Sequence, residues 1–267
     1  MSSKSLRAIN NAKIESFVYM PPAQAFGATR ILVKPNLGYP NPPPVTVSMP
    51  VLGAVLRGLR RASPMARIVI IEGVADSQSA ERIFKQLGVM DLLDDNMRVA
   101  DAESLLMHDY DNKSPAPIRF KTMTAPTYIG EYDCCISVGT FKRTLLKDQP
   151  LISASLKNLY GVFPREKYHG RSPNLRGQLH RPSVPEVLQD IYFSIGTYFH
   201  GSVVDLTHKL VSPDEKPTEG EAIPIGQVVW GDDLLAVDEV ACRLANEPVP
   251  DYIHAIRALR DQLEDAK

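Results

Sequence analysis

Residues 140–182 carry nine Lys/Arg against two acids, Asp148 and Glu166, and His169 and His180 fall in the same stretch. The whole chain of 267 residues has a formal net charge of -1, so this excess is local. A concentrated cationic segment in a nearly neutral chain marks a surface that meets an anion. Within it, residues 153–170 read SASLKNLYGVFPREKYHG. Lys157-Asn158, followed by Arg165, Lys167 and His169, sets ammonium, amide and imidazole groups in a Gly- and Pro-punctuated loop. Paired ammonium and amide donors suit carboxylate and phosphate oxygens. A lysine crowded by other cations has its neutral form favoured, as a general base or amine nucleophile requires. Histidine titrates near neutral pH. Lys157 and His169 are therefore the candidate proton-transfer residues.

The remaining polar candidates lie where apolar runs stop. Lys34 and Asn36 follow ATRILV, Glu72 follows RIVII, Lys142 follows an apolar run ending at Gly139, and Asp205 closes SVVD. Lys34, Asn36, Thr46, Lys142, Asn158, Lys167 and His180 form the candidate substrate-binding set. Glu72, Asp205 and Asp238 are the carboxylates expected to orient the cations. Asp238 sits among Leu235, Ala236, Val237, Val240 and Ala241, a face that should be buried, and a buried carboxylate needs a partner. Lys34, Lys142 and Lys157 are the partners to consider.

Plainer readings compete at each position. Lys34-Pro35-Asn36 also suits a solvated turn. Thr46 or Ser48 suits a helix cap, as does Asp232 or Asp233. His200 and His208 read as structural or exposed. No metal is assigned, because neither H-x-x-x-H nor H-E-x-x-H occurs; a divalent ion held by Glu72, Asp205, Asp238 and His169 is the nearest alternative. No P-loop, GxGxxG or GxSxG is present, so no nucleotide cofactor is assigned.

The elements that would position these groups alternate between strand and helix. Strands are predicted at 28–33, 67–71, 97–100, 118–122, 132–138, 202–205 and 225–230. Helices are predicted at 51–62, 79–87, 184–199, 233–244 and 251–265. This order predicts an α/β fold, a mostly parallel central sheet covered by helices on both faces. It reads as one domain over 28–267 after an N-terminal extension at 1–27, with Pro-rich excursions at 40–44 and 211–224. In such sheets ligands bind outside the carboxyl ends of the strands, so Lys34, Asn36, Glu72, Lys142 and Asp205 should converge on one edge.

Composition narrows the function classes. Hydrophobic content of 44% and charged content of 23% are those of a globular chain. Three cysteines, two of them adjacent, make no disulfide framework and no cluster motif. No apolar run approaches the ~20 residues of a membrane span, and the N-terminus lacks a signal-peptide core, which points to the cytoplasm. The near-zero net charge and few aromatics in the basic segment argue against nucleic acid. The expected partner is a small anionic substrate; a homo-oligomer is left open.

Four blocks carry a resemblance, in order: RILVKPNLG with the later Thr46; IVIIEG; ISVGTFKRT leading to SLKNLYGVFPREKYHG; and VVDL followed by VVWGDDLLAVDEVA. Together they span about residues 28–246, and the chain resembles the domain-of-unknown-function 362 family, DUF362. Family members carry a Lys-Thr-His-like triplet where this chain reads Lys142-Arg143-Thr144. Many relatives look like fusions to a ferredoxin-type iron–sulfur module, so the resemblance implies a stand-alone form here and admits a redox-accessory role. It also implies that the polar blocks belong to one site.

Overall fold

A computed structural model describes residues 9–146 and 149–265. Ten strands are formed: β1 (Ile9–Lys13), β2 (Arg30–Pro35), β3 (Arg67–Glu72), β4 (Met97–Asp101), β5 (Met107–Asp111), β6 (Thr122–Pro126), β7 (Cys134–Leu146), β8 (Gln149–Ser153), β9 (Gly201–Val211) and β10 (Glu221–Gly231). The helices are α1 (Met49–Ala62), α2 (Ala80–Gln86), α3 (Tyr128–Glu131), α4 (Ser155–Asn158), α5 (Arg165–Tyr168), α6 (Val184–Ser194), α7 (Leu234–Leu244) and α8 (Asp251–Asp265). The main sheet has eight strands in the order β1-β10-β9-β7-β2-β3-β4, with β8 added to β7. From β4 through β9 it is parallel, and β10 and β8 are antiparallel additions. The fold is thus α/β with a mostly parallel central sheet.

Alternation along the parallel strands divides the core between two faces. Ile31, Val33, Ile68, Ile70, Ile136 and Val138 point to the side covered by α1 and α2. Leu32, Val69, Ile71 and Cys135 point to the side covered by α6 and α8. Further along the sheet, Val204, Leu206 and Val229 pack against Val237 and Ala241 of α7. The short, β-branched runs are buried on both sides, so they read as continuous apolar stretches. Helix α1 starts after Ser48 with Pro50 in its first turn and buries Val51, Leu52, Val55, Leu56 and Leu59. Ser79 caps α2 by accepting the Arg82 N–H, and Asp233 caps α7 by accepting the Ala236 N–H.

Several boundaries differ from the sequence reading. The strand expected at 118–122 is β6, shifted to Thr122–Pro126, and it pairs with β5 in a separate two-stranded sheet. The helix expected to reach 199 ends at Ser194, followed by a 3-10 turn at Gly196–Tyr198. Residues 9–13, inside the expected N-terminal extension, form an edge strand on β10. Most consequentially, the strand expected to stop at 138 runs on to Leu146. Its first half lies between β2 and β9, and from Lys142 it forms a hairpin with β8 while staying paired with β9 as far as Arg143. Among the described residues no helix is long and apolar enough to cross a membrane.

Candidate functional site

The hairpin extension of β7 leaves space above the shorter strands beside it. β2 stops at Pro35 and β3 at Glu72, while β7 and β8 continue past them. The result is a cavity of about 560 Å³ at the carboxyl ends of β2 and β3. Lys34, Asn36, Glu72, Lys142, Lys157, Asn158 and His180 all line it. Thr46, Lys167, His169, Asp205 and Asp238 do not.

Its floor is a buried ion pair. Lys34 is 1% exposed and Glu72 2%. Lys34 Nζ lies 2.7 Å from Glu72 Oε1 and also donates to Asn158 Oδ1 and the Pro35 carbonyl, both at 3.0 Å. All three ammonium donors are thereby used. Glu72 accepts the Leu37 N–H at 2.7 Å and the Gly73 N–H at 3.0 Å. Asn158 donates back to the Lys34 carbonyl at 2.7 Å and to Ser137 Oγ at 3.0 Å. Burial lowers the Lys34 pKa, and the Glu72 carboxylate opposes that shift. Lys34 and Asn158 therefore act as fixed framework, although the sequence reading assigned both to substrate binding. Asn36 is likewise engaged, donating to Thr140 Oγ1 at 3.1 Å.

Two other ammonium groups face the cavity differently. Lys142, 3% exposed, has no hydrogen bond or ion pair to its Nζ among the described residues. Burial, reinforced by the nearby Lys157 charge, lowers its pKa to about 7. Lys157, half-buried, lies over the Tyr160 ring at 4.9 Å, and burial lowers its pKa to about 8. Tyr160 is fixed in turn by its hydroxyl, which donates to the Leu179 carbonyl at 2.8 Å. His180 stands at the rim with its ring against Tyr160, and desolvation with the Lys157 charge lowers its pKa.

The carboxylates do not share one task, which corrects the sequence reading. Glu72 alone orients a lysine. Asp205 accepts the N–H and hydroxyl of Ser48 at 2.9 and 2.6 Å, and the N–H and hydroxyl of Thr207 at 3.1 and 2.7 Å. It ties the start of α1 to β9. Asp238 accepts the Ser155 N–H and hydroxyl at 2.8 and 2.5 Å and the Leu156 N–H at 3.0 Å. Its partners are backbone donors at the start of α4, not a cation. Burial still pushes its pKa up to about 6.

Three further assignments change. Thr46 is fully buried and donates to the Asn41 carbonyl at 2.7 Å, a loop brace. Lys167 is exposed beside Asp109 at 3.4 Å and bonds Thr124 Oγ1. His169 is exposed just after α5, its ring against the Gly170 carbonyl, and does not line the cavity. The alternative divalent-ion set of Glu72, Asp205, Asp238 and His169 is dispersed for the same reasons. Among the described residues no cluster of His, Cys, Asp or Glu that could hold a metal is formed.

Arg176 was not singled out by spacing, yet it lines the cavity. Its guanidinium bonds Glu103 at 2.9 Å and the Gly161 carbonyl at 3.1 Å, and it also bonds the Phe163 carbonyl. Arg165 shares Glu103 at 2.7 Å, and Arg143 meets Glu247 at 3.4 Å. The basic segment is thus balanced by Glu103, Glu247 and Asp109, not by Asp205 and Asp238. Gly161 itself is required by contact: a Cβ there would collide with Glu72 Oε1 and crowd Lys34 Nζ at 2.9 Å.

Comparison with known proteins gives three results. No curated protein matches the chain. Among solved structures, the lactate racemase apoprotein from Thermoanaerobacterium thermosaccharolyticum is similar at a TM-score of 0.47 and 15% identity. The match covers 75% of this chain but 46% of that one, so the chain spans under half of that protein's length. The family model for the domain of unknown function DUF362 matches residues 31–243, most of the chain and all four sequence blocks except the first residue of RILVKPNLG. The chain belongs to the DUF362 family.

Proposed function

We propose that the cavity binds a small anionic metabolite, carboxylate or phosphate, and that the protein is an enzyme whose reactive amine is Lys142. One observation carries this reading: Lys142 is buried without an ionic partner among the described residues, beside a second unpaired ammonium, Lys157, in the same cavity. Two like charges facing one low-dielectric space repel, and an anion seated between them removes that repulsion. In the free protein Lys142, with a pKa of about 7, is divided between charged and neutral forms at neutral pH. The neutral amine has a lone pair that accepts a proton from carbon or oxygen, or adds to a carbonyl carbon with loss of water. Lys157, with the higher pKa of about 8, holds the anionic oxygens. Lys142 thus replaces Lys157 and His169 as the proton-transfer group.

Two measurements test the reading on the full chain. A panel of carboxylic acids in deuterium oxide reports proton abstraction as deuterium incorporated next to the carboxylate. A panel of 2-oxo acids with borohydride reports amine addition as a mass increase on the Lys142 peptide. One signal is expected, abolished in Lys142→Met. If neither appears and phosphate and acetate show no binding dependent on Lys142 and Lys157, the reading is wrong.

A further inference from the structure

The hairpin wall of the cavity changes character along one direction, while Glu215 and Lys216 line it from a neighbouring loop. β-strand side chains alternate, so Lys142, Thr144 and Leu146 share one face of β7. Opposite them in register stand Ser153 against Lys142 and Leu151 against Thr144. All five line the cavity. Four residues of strand span about 13 Å, so the hairpin wall runs from Lys142 with Ser153, through Thr144 with Leu151, to Leu146. Leu175, 45% exposed, is a third leucine among the residues lining the cavity. Apolar side chains gathered in a cleft rimmed by polar groups mark a ligand-binding groove.

We propose that the ligand is an amphiphile: one anionic head between Lys142 and Lys157, and an apolar chain or ring lying against Leu146, Leu151 and Leu175. This rests on the anion-binding reading above and narrows it. Volume separates it from binding of a bare anion. About 560 Å³ falls among sites that hold ligands of many atoms, and an acetate or phosphate would leave the leucine end in contact with water. The hydrophobic gain from covering that end requires carbon on the ligand.

The test is calorimetric titration of the full chain with acetate, hexanoate, octanoate, inorganic phosphate and octan-1-ol. Octanoate is expected to bind most tightly, with affinity rising by about four-fold per added methylene until the wall is covered. Octan-1-ol, with no charge, is expected to bind at least ten-fold more weakly than octanoate, a factor of about 1.4 kcal/mol. Leu146→Ser and Leu175→Ser should each lower the octanoate-to-acetate affinity ratio several-fold. Equal affinity for acetate and octanoate overturns the amphiphile and leaves the anion site standing. Failure of every acid and of inorganic phosphate to bind overturns both, as does octan-1-ol binding as well as octanoate.

Discussion

Asp238 on α7 grips Ser155 twice, through its N–H at 2.8 Å and its hydroxyl at 2.5 Å, and adds the Leu156 N–H at 3.0 Å. A carboxylate 83 residues further along the chain thus fixes the turn that carries Lys157 and Asn158. Replacing Asp238 by Ala leaves those buried donors unpaired, a loss of roughly 1–3 kcal/mol per group. The expected outcome is lower stability in urea together with weaker anion binding, since Lys157 loses its platform. Asp238→Asn should recover part of both. Unchanged affinity in a folded Asp238→Ala protein would show that α4 holds its place without the carboxylate.

The Lys34–Glu72 pair should be costly to break. Removing one partner of a buried pair leaves an uncompensated charge, typically a loss of about 3–5 kcal/mol. Glu72→Gln is expected to lower the unfolding free energy by that amount, read as a lower denaturation midpoint at unchanged m-value. Gly161→Ala should act on the same pair from outside, because its methyl group would occupy the position of Glu72 Oε1. Denaturant titration of the two variants checks both, and a Gly161→Ala protein as stable as the parent would contradict the close approach.

Stability should rise with pH above neutrality. Lys142 and Lys157 have folded pKa values of about 7 and about 8, below the ordinary 10.5. Between those values and 10.5 the unfolded chain binds more protons than the native one, so the unfolding free energy increases with pH. Below pH 7 both states are protonated and the native state carries the full penalty of burying the charges. Lys142→Met should flatten this rise and raise stability at pH 6 to 7. Urea titrations at pH 6.5, 8 and 9.5 give the slope.

Anion binding should take up protons. An anion favours the ammonium form of Lys142, so its affinity is expected to fall as pH climbs from 7 to 9. Calorimetry at pH 8 in two buffers of different ionisation enthalpy measures the uptake directly. A buffer-independent heat would show that neither lysine changes its protonation.

His169→Ala should bind anions as the parent does, within two-fold, because the ring lies exposed and away from the cavity. His180→Ala, at the rim against Tyr160, should alter affinity. Competition with a chromophoric anion compares the two in one experiment.

The strand ends that hold Lys34 and Glu72 were legible because β-branched, continuously apolar runs are what a doubly covered parallel strand requires. Asp238 was legible as buried but not in its bonding: the argument from charge looked for a cation, and backbone N–H groups satisfy a carboxylate as well. The cationic density between residues 140 and 182 misled for a related reason. Arg165 and Arg176 meet Glu103, and Lys167 meets Asp109, pairings more than 50 residues apart that no local pattern reports. The hairpin wall was hidden by composition. KRTLL and the Pro150-containing β8 look like loop, yet they pair in register because β7 outruns β2 and gains a partner of its own.

That overrun of β7 separates two kinds of position. Its first half pairs with β2 and β9, and at Lys142 β8 takes the place of β2 while β9 stays paired as far as Arg143. Residues 144, 146 and 151 lie beyond that point, on a ribbon whose substitution leaves the central pairing untouched. Substitutions at those positions can therefore reshape one wall of the cavity without disturbing the pairing of β7 with β2.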